Sequence, residues 1–270
     1  MTAKELIEAG HLSAALEQLN HDVRSHPTDV RQRTFLFELL CFMGDYQRAA
    51  RQLDVIEHQD TAAEIGVQVY RHILTAAEAR DEFFSQGRQP HFLFSPPSYV
   101  YPHLEAVNQL RQAQPAAAKA LLEQAVPTYP RLSGHVDGQV FDDFCDSDAI
   151  LGPFLEAFVQ SDYVWLPLEQ IKQLTIPLPT HLRDLLWTPA RLEAHSGPVG
   201  DVFLPVLYPG SCRHDDDRIK LGRLTDWLDS GDGLARGVGQ HLFLVGEDGR
   251  ALLEMRELVF DARATPTDEA

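Results

Sequence analysis

The stretch AGHLSAALEQLNHDVRSHPTDVRQRTFLFELLCFMGDYQRAARQLDVI, Ala9 to Ile56, carries one turn-and-helix word twice. Gly10, Leu12, Ala15 and Leu19 recur 34 residues later as Gly44, Tyr46, Ala49 and Leu53, a shared G-x-[LY]-x-x-A-x-x-x-L. Thirty-four residues is the period of the tetratricopeptide (TPR) helix-turn-helix unit, in which each helix pair buries its apolar stripe against the next. A weaker copy, Pro115, Ala118, Leu122, Val126 and Pro130, matches Leu12, Ala15, Leu19, Val23 and Pro27 at an offset of 103, with Ala113 where the glycine should be.

The flanking chain reads as helix outward to about residue 130. Leu12, Ala15, Leu16, Leu19 and Val23 share one face, and Pro27 stops that helix. Val30 to Met43 is apolar nearly all round after Thr34 and is expected to be the most buried helix. The word TAAE at Thr61 to Glu64 is a capping box that opens a long helix with a stripe of Ile65, Val69, Ile73, Ala76, Arg80 and Phe84, stopped at Gly87. Arg88 to Pro102, rich in proline and aromatics, predicts an extended connection laid on the helices, with Phe92, Phe94 and Tyr99 as pegs. Helices follow at Leu104 to Ala113 and Ala116 to Val126.

Past residue 131 short β-branched and aromatic runs alternate with Gly, Pro and Asp. Expected strands are Gln139 to Phe144, Tyr163 to Leu166, Val202 to Tyr208, Leu242 to Val245 and Leu252 to Phe260, the last two joined by a hairpin at GEDGR, Gly246 to Arg250. Short helices are expected at Ser147 to Phe158 and Leu168 to Leu174, and a frayed tail at 262–270. The fold class is therefore α+β in two parts: a TPR-like αα superhelix over 1–130 and an acidic α+β domain with antiparallel strands over 131–270.

Charge narrows the function. The 270 residues carry a formal charge of −17; 11 basic and 16 acidic residues fall in 1–130, and 12 and 24 in 131–270. Such a chain repels phosphate backbones and anionic lipid, so nucleic-acid and membrane partners are disfavoured, while a basic protein surface would be attracted. Cys41, Cys145 and Cys212 form no paired framework, which fits a reducing compartment. The start MTAKELIEAGHL lacks the apolar core of a signal peptide, and the longest apolar run is far short of a membrane span. A cytoplasmic location is expected.

The chain carries little that reads as catalytic chemistry. Asp142, Asp143, Asp146 and Asp148 miss the EF-hand register. RHDDDR, Arg213 to Arg218, has ligand chemistry but adjacent side chains that cannot all face one ion, and reads better as a polar loop with local Arg pairing. GDGLARGVG, Gly231 to Gly239, has no P-loop ending and reads as a flexible loop. No nucleophile elbow, zinc or cofactor motif occurs. One competing class is a metal-dependent or small-ligand enzyme with a carboxylate site at Asp142, Asp146, Asp215 and Asp217. Two words, LRDLLWTPARLE (Leu182 to Glu193) and LGRLTDW (Leu221 to Trp227), each group Arg, Asp and Trp. They are read in two ways: as core tryptophans with Arg183–Asp184 and Arg223–Asp226 ion pairs, or as a partner-binding face of Arg183, Trp187, Tyr208, Arg223, Asp226 and Trp227.

Several of these words together resemble the ImpE/SciE (TagJ) family of type VI secretion accessory proteins. The resemblance rests on Ala9 to Ile56, SPP at Ser95 to Pro97, LGPFLE at Leu151 to Glu156, LRDLLWTPARL at Leu182 to Leu192, YPGS at Tyr208 to Ser211, LGRLTDW at Leu221 to Trp227 and GVGQHLFLVGED at Gly237 to Asp248. The chain departs from the family pattern at Ser98 and Tyr99, Ile150 and His241, which puts side-chain-specific roles there in doubt. The resemblance implies a non-enzymatic adaptor that binds the N-terminal helix of the small sheath subunit and links to the ClpV-type AAA+ ATPase. It carries over no catalytic, cofactor or metal residues.

Overall fold

A computed structural model describes residues 1–197 and 199–261, with the backbone alone at Thr61. The tail expected at 262–270 lies outside the described residues, as does the Thr61 side chain of the expected capping box. Helices α1 (Ala3–Glu8), α2 (Leu12–Ser25), α3 (Val30–Phe42), α4 (Tyr46–Gln59), α5 (Glu64–Gln86), α6 (Val100–Arg111) and α7 (Pro115–Ala125) form the first part. They are followed by β1 (Gly134–Val136), β2 (Gln139–Phe141), β3 (Phe144–Asp146), β4 (Phe154–Val159), β5 (Asp162–Pro167), β6 (Ile171–Thr175), β7 (Trp187–Ala194) and β8 (Val199–Pro205). The one-turn α8 (Asp217–Lys220) precedes β9 (Asp226–Asp229), β10 (Ala235–Val238), β11 (Leu242–Val245), β12 (Asp248–Ala251) and β13 (Glu257–Phe260).

The repeat is a backbone fact as well as a sequence pattern. Gly10 and Gly44 adopt φ of +85° and +71°, and Ala113, at the same place in the weak copy, adopts +56°. At each site the next residue's N–H reaches back five residues, His11 to Leu6, Asp45 to Leu40 and Gln114 to Gln109. These are Schellman turns, each followed directly by the next helix. The weak copy thus keeps the left-handed turn although it lost the residue that adopts it freely. The repeat positions Leu12, Ala15, Leu19, Ala49, Leu53, Ala118 and Leu122 are all buried; Val126 departs from the pattern, at 56% exposed. In α3 every residue from Leu36 to Phe42 is buried, Glu38 included.

Among the described residues the strands form an eight-stranded antiparallel sheet, β2-β1-β13-β6-β7-β8-β4-β5, a three-stranded β12-β11-β3 and a two-stranded β10-β9. Helix α5 lies on β4 and β5, where Phe83 meets Tyr163 and Trp165 edge-on or tilted at 6.1 and 5.0 Å. One continuous apolar core therefore runs from the repeats into the sheets.

Several expected elements are different. Gln139 to Phe144 divides at Asp142 into β2 and β3, which join different sheets. Ser147 to Phe158 is no helix: Asp148 takes the backbone N–H groups of Ile150 and Leu151 in a turn, and β4 follows. That strand is buried from Phe154 to Phe158, so its apolar run lacks the alternation that marks a half-exposed strand. Leu168 to Leu174 is one 3₁₀ turn and then β6, and Leu252 to Phe260 is a 3₁₀ turn and then β13. The hairpin turn at Gly246 joins β11 to β12 instead of to the final strand. The Val202 to Tyr208 strand runs earlier, Val199–Pro205. The α5 stripe is also shifted. Ile73 and Ala76 are buried, but Ile65 is 82% exposed and Val69 37%, and the remaining inward positions include Val67, Leu74, Ala77 and Phe83. The connection before α6 is laid on the sheet edge, where His91 bonds β5 backbone on both sides, with N–H to Tyr163 and carbonyl from Trp165. GDGLARGVG holds β10, so half of it is strand.

Candidate functional site

The second part of the chain clamps the first repeat. His11, the residue before α2, supplies no side-chain cap. Instead Asp217 accepts from the Ser13 backbone N–H at 2.9 Å and from its hydroxyl at 3.1 Å, so a carboxylate more than two hundred residues away serves the helix N-terminus. On the other side of the same turn Arg223 donates to the carbonyls of Ile7 and Glu8, at 2.7 and 2.9 Å, closing the C-terminus of α1. At the next turn, a Cβ on Gly44 would lie 2.8 Å from Cys212 Sγ, so glycine there permits close approach as well as positive φ.

Farther along the repeats Arg183 donates to Tyr70 Oη at 2.6 Å and to Glu38 Oε1 at 2.9 Å, with its guanidinium 5.1 Å from the Tyr70 ring centre. Burial pushes the Glu38 carboxyl up, and Arg183 compensates in part. Trp187 is buried against Tyr46 at 6.2 Å.

Between α5 and the sheets lies a buried polar network. Arg80 donates to Glu156 at 2.7 and 2.5 Å and to the Leu207 carbonyl at 2.9 Å. Tyr163 donates to Glu156 at 2.5 Å. His241 joins two carboxylates: its Nδ1 is 2.7 Å from Asp146, and its Nε2 is 3.1 Å from Glu156, at an angle too oblique for a well-formed hydrogen bond. Tyr208 donates to Asp146 at 2.8 Å. Burial opposes charge on His241, but Asp146 and Glu156 outweigh it and raise the imidazole to about 9. Burial would also push Glu156 up; Arg80 and then His241 overcome it and hold that carboxyl well below the usual range. The network is a fixed, charged joint with every charge answered.

An open apolar groove of about 220 Å³ lies between α3, α4 and α5. Phe37, Leu53, Ile56, Ala63, Val67 and Tyr70 line it, Arg183 forms one end, and a Cβ built on Gly66 would meet nothing within 4 Å. Exposed Ile65 and Val69 run beside it on α5.

With this arrangement in view, the chain is 38% identical over 268 residues to the Pseudomonas aeruginosa protein named type VI secretion system accessory component TagJ, covering 99% of this chain and 92% of that one. The chain belongs to the ImpE/SciE (TagJ) family. Residues 138–259 match the family model described as ImpE protein, so the sheet part carries that signature and the repeats precede it. A crystal structure of a Vibrio parahaemolyticus protein superposes with a TM-score of 0.89 at 26% identity, covering 96% of this chain and 97% of that one. The two-part α+β architecture of this ImpE-family chain is therefore shared over nearly its whole length.

For an ImpE-family chain the acidic words now have definite places. Asp142 and Asp143 are exposed, Asp146 and Asp148 are buried on His241, Tyr208 and Arg236, Asp216 caps α8, and Asp217 caps α2. Among the described residues no three His, Cys, Asp or Glu side chains are grouped to hold a metal. The four carboxylates of the competing enzyme reading are thus not assembled as an ion site. The ion pairs expected within the two tryptophan words are also replaced: Arg183 reaches Glu38 while Asp184 accepts from Thr180 and His181, and Arg223 reaches carbonyls. Of the six residues singled out, Arg183, Trp187 and Arg223 hold the two parts together, Tyr208 is buried within the second part on Asp146 and His241, and Asp226 and Trp227 are exposed on β9, Trp227 with its ring 5.8 Å from Tyr208.

Neither the groove nor the network was legible in the sequence. Gly66 in a helix otherwise free of glycine was a usable signal for the groove, since a helical glycine costs about 1 kcal/mol against alanine. Arg80, Glu156 and His241 lie up to 161 positions apart, and no local pattern joins them.

Proposed function

We propose that this protein is a non-enzymatic adaptor of type VI secretion, acting in the cytoplasm by holding the N-terminal helix of the small sheath subunit and linking it to the ClpV-type AAA+ ATPase. The name of the P. aeruginosa relative supports the accessory role. The observation that carries the binding mode is the open groove of α3, α4 and α5, with Gly66 leaving unfilled space in its wall. A groove between repeat helices suits the apolar face of an amphipathic helix, read through side chains at i, i+3 and i+4. Trp227 and Asp226, exposed on β9, are proposed as a secondary contact. No helix among the described residues is long and apolar enough to cross a membrane.

The test is a binding titration of the sheath subunit, intact and without its N-terminal helix, against wild type, Gly66→Ala and Gly66→Phe. Helical φ and empty space at Gly66 predict that both variants fold. Wild type and Gly66→Ala should bind the intact subunit alike, Gly66→Phe at least tenfold more weakly, and the truncated subunit should bind none of them. Equal binding of intact and truncated subunit would overturn the partner assignment, and undiminished binding by Gly66→Phe would overturn the groove.

A further inference from the structure

A second cleft lies toward the C-terminal end of α5, between α5 and α6 on one side and the β9–β10 ribbon on the other. Its inner part has about 240 Å³ of free volume, and its outer part, which shares Arg213, Leu228 and Val238, about 400 Å³. Its charge is opposite to that of the chain. In a protein with 40 acidic and 23 basic residues, Arg111, Arg213 and Arg236 line the inner part and, among the described residues, no Asp or Glu does.

The three guanidiniums are not equivalent. Arg236 is committed: it donates to the fully buried Asp148 at 2.7 and 3.0 Å and lies 5.4 Å from the Phe84 ring centre. Arg111 donates to the Ser85 carbonyl and the Asn108 side chain, and among the described residues it has no carboxylate partner. Arg213 has Asp81 at a loose 3.9 Å, and its side chain is 62% exposed. Two cations therefore flank the cleft with their charge largely unanswered. The walls between them are apolar, with Phe84, Leu228 and Val238 contributing, and Leu228 is 46% exposed. Acidic side chains border the cleft: Asp148 and Asp81 meet Arg236 and Arg213, Asp215 lines the outer part, and Asp226 lies opposite Val238 in the ribbon register.

We propose that this cleft binds an acidic segment of a protein partner, with carboxylates on Arg111 and Arg213 and an apolar side chain seated over Leu228 and Val238. Guanidinium binds carboxylate through paired N–H donors, and a pocket that shields this contact from water strengthens it. A nucleic-acid strand, which presents the same anionic chemistry, is disfavoured because the surrounding field of a −17 chain repels a long polyanion. A short acidic segment needs only the local field. The site is separate from the α3–α5 groove, so either assignment can fail alone.

The probe is a fluorescein-labelled peptide in which Glu and Leu alternate, compared by anisotropy with a Lys and Leu peptide of the same pattern, and with inorganic phosphate as competitor. The Glu peptide should bind wild type, weaken as salt rises, and lose at least tenfold in Arg111→Ala/Arg213→Ala, whose exposed positions should leave the unfolding midpoint nearly unchanged. Gly66→Phe should bind the Glu peptide as wild type does. Equal binding of both peptides, no binding of the Glu peptide, or full retention in the double variant would overturn the proposal. Phosphate that binds and displaces the peptide completely at equal affinity would assign the cleft to small anions and overturn the peptide reading.

Discussion

Arg80 of α5 and Glu156 of β4 form a buried two-toothed pair, with side chains 12% and 2% exposed, that joins the helical repeats to the sheet. Among the described residues, removing Glu156 leaves Arg80 charged, buried and without a carboxylate, and removing Arg80 leaves Glu156 buried with only Tyr163 and the oblique His241 to answer it. Arg80→Ala is expected to cost about 3–5 kcal/mol. Arg80→Met combined with Glu156→Gln should cost less than the two singles together, with a coupling of about 0.5–3 kcal/mol. Urea unfolding of the four proteins in the cycle checks this; additivity would mean the pair does not act as a joint.

Two buried histidines set the pH dependence with opposite signs. His241, raised from 6.5 to about 9 by Asp146 and Glu156 against the cost of burial, contributes stability that is complete below about pH 6.5 and is lost as the pH rises through 9. His103 is lowered to about 4 by burial, despite its bond to the Ile150 carbonyl. Its contribution is present above pH 6.5 and is lost as the pH falls toward 4. Each is worth up to ~3 kcal/mol. Denaturant midpoints measured from pH 4.5 to 9.5 should peak near 6.5, and His241→Gln should remove the alkaline limb while leaving the acid limb in place.

Ala113 holds φ of +56° where its counterparts are glycines. Ala113→Gly is expected to gain up to about 1 kcal/mol, because the left-handed strain it relieves exceeds the extra chain entropy glycine brings. Gly44→Ala should lose more than Gly10→Ala: both meet the same strain, but only at Gly44 would the new Cβ press on Cys212. Thermal midpoints of the three variants rank these effects.

Asp217→Ala should cost about 0.5–2 kcal/mol, the usual range for an N-terminal helix cap, although the residue is far from α2 in sequence. Amide hydrogen exchange would show the loss at Ser13 and in the first turn of α2. Faster exchange confined to α8 would instead mean that the carboxylate serves only its own helix through Lys220, its other partner at 3.0 Å.

The repeat shows how far local pattern reaches. A 34-residue period and a stripe of Leu12, Ala15 and Leu19 define a helix pair because helix spacing and turn geometry are settled within one unit. They place a helix break after Ala113, and the structure adds that the left-handed turn survives there without its glycine. The same logic failed at β4, where burial on both faces erased the alternation, and at Ile65 and Val69, whose apolar side chains point away from the core. The groove beside them, in whose wall Gly66 presents no side chain, is revealed only by the packing of three helices.

Local pattern along the chain was enough for the repeats, the change from helical to β character, the acidic charge and, through its words, the family resemblance. The tertiary structure alone decided what the charged and aromatic residues do. Asp217 became a helix cap, Arg183 a tie to Glu38, and His241 a cation between two carboxylates. Each depends on partners 85 or more positions away, and an electrostatic partner is chosen by distance in space and by exclusion of water, neither of which is written along the chain.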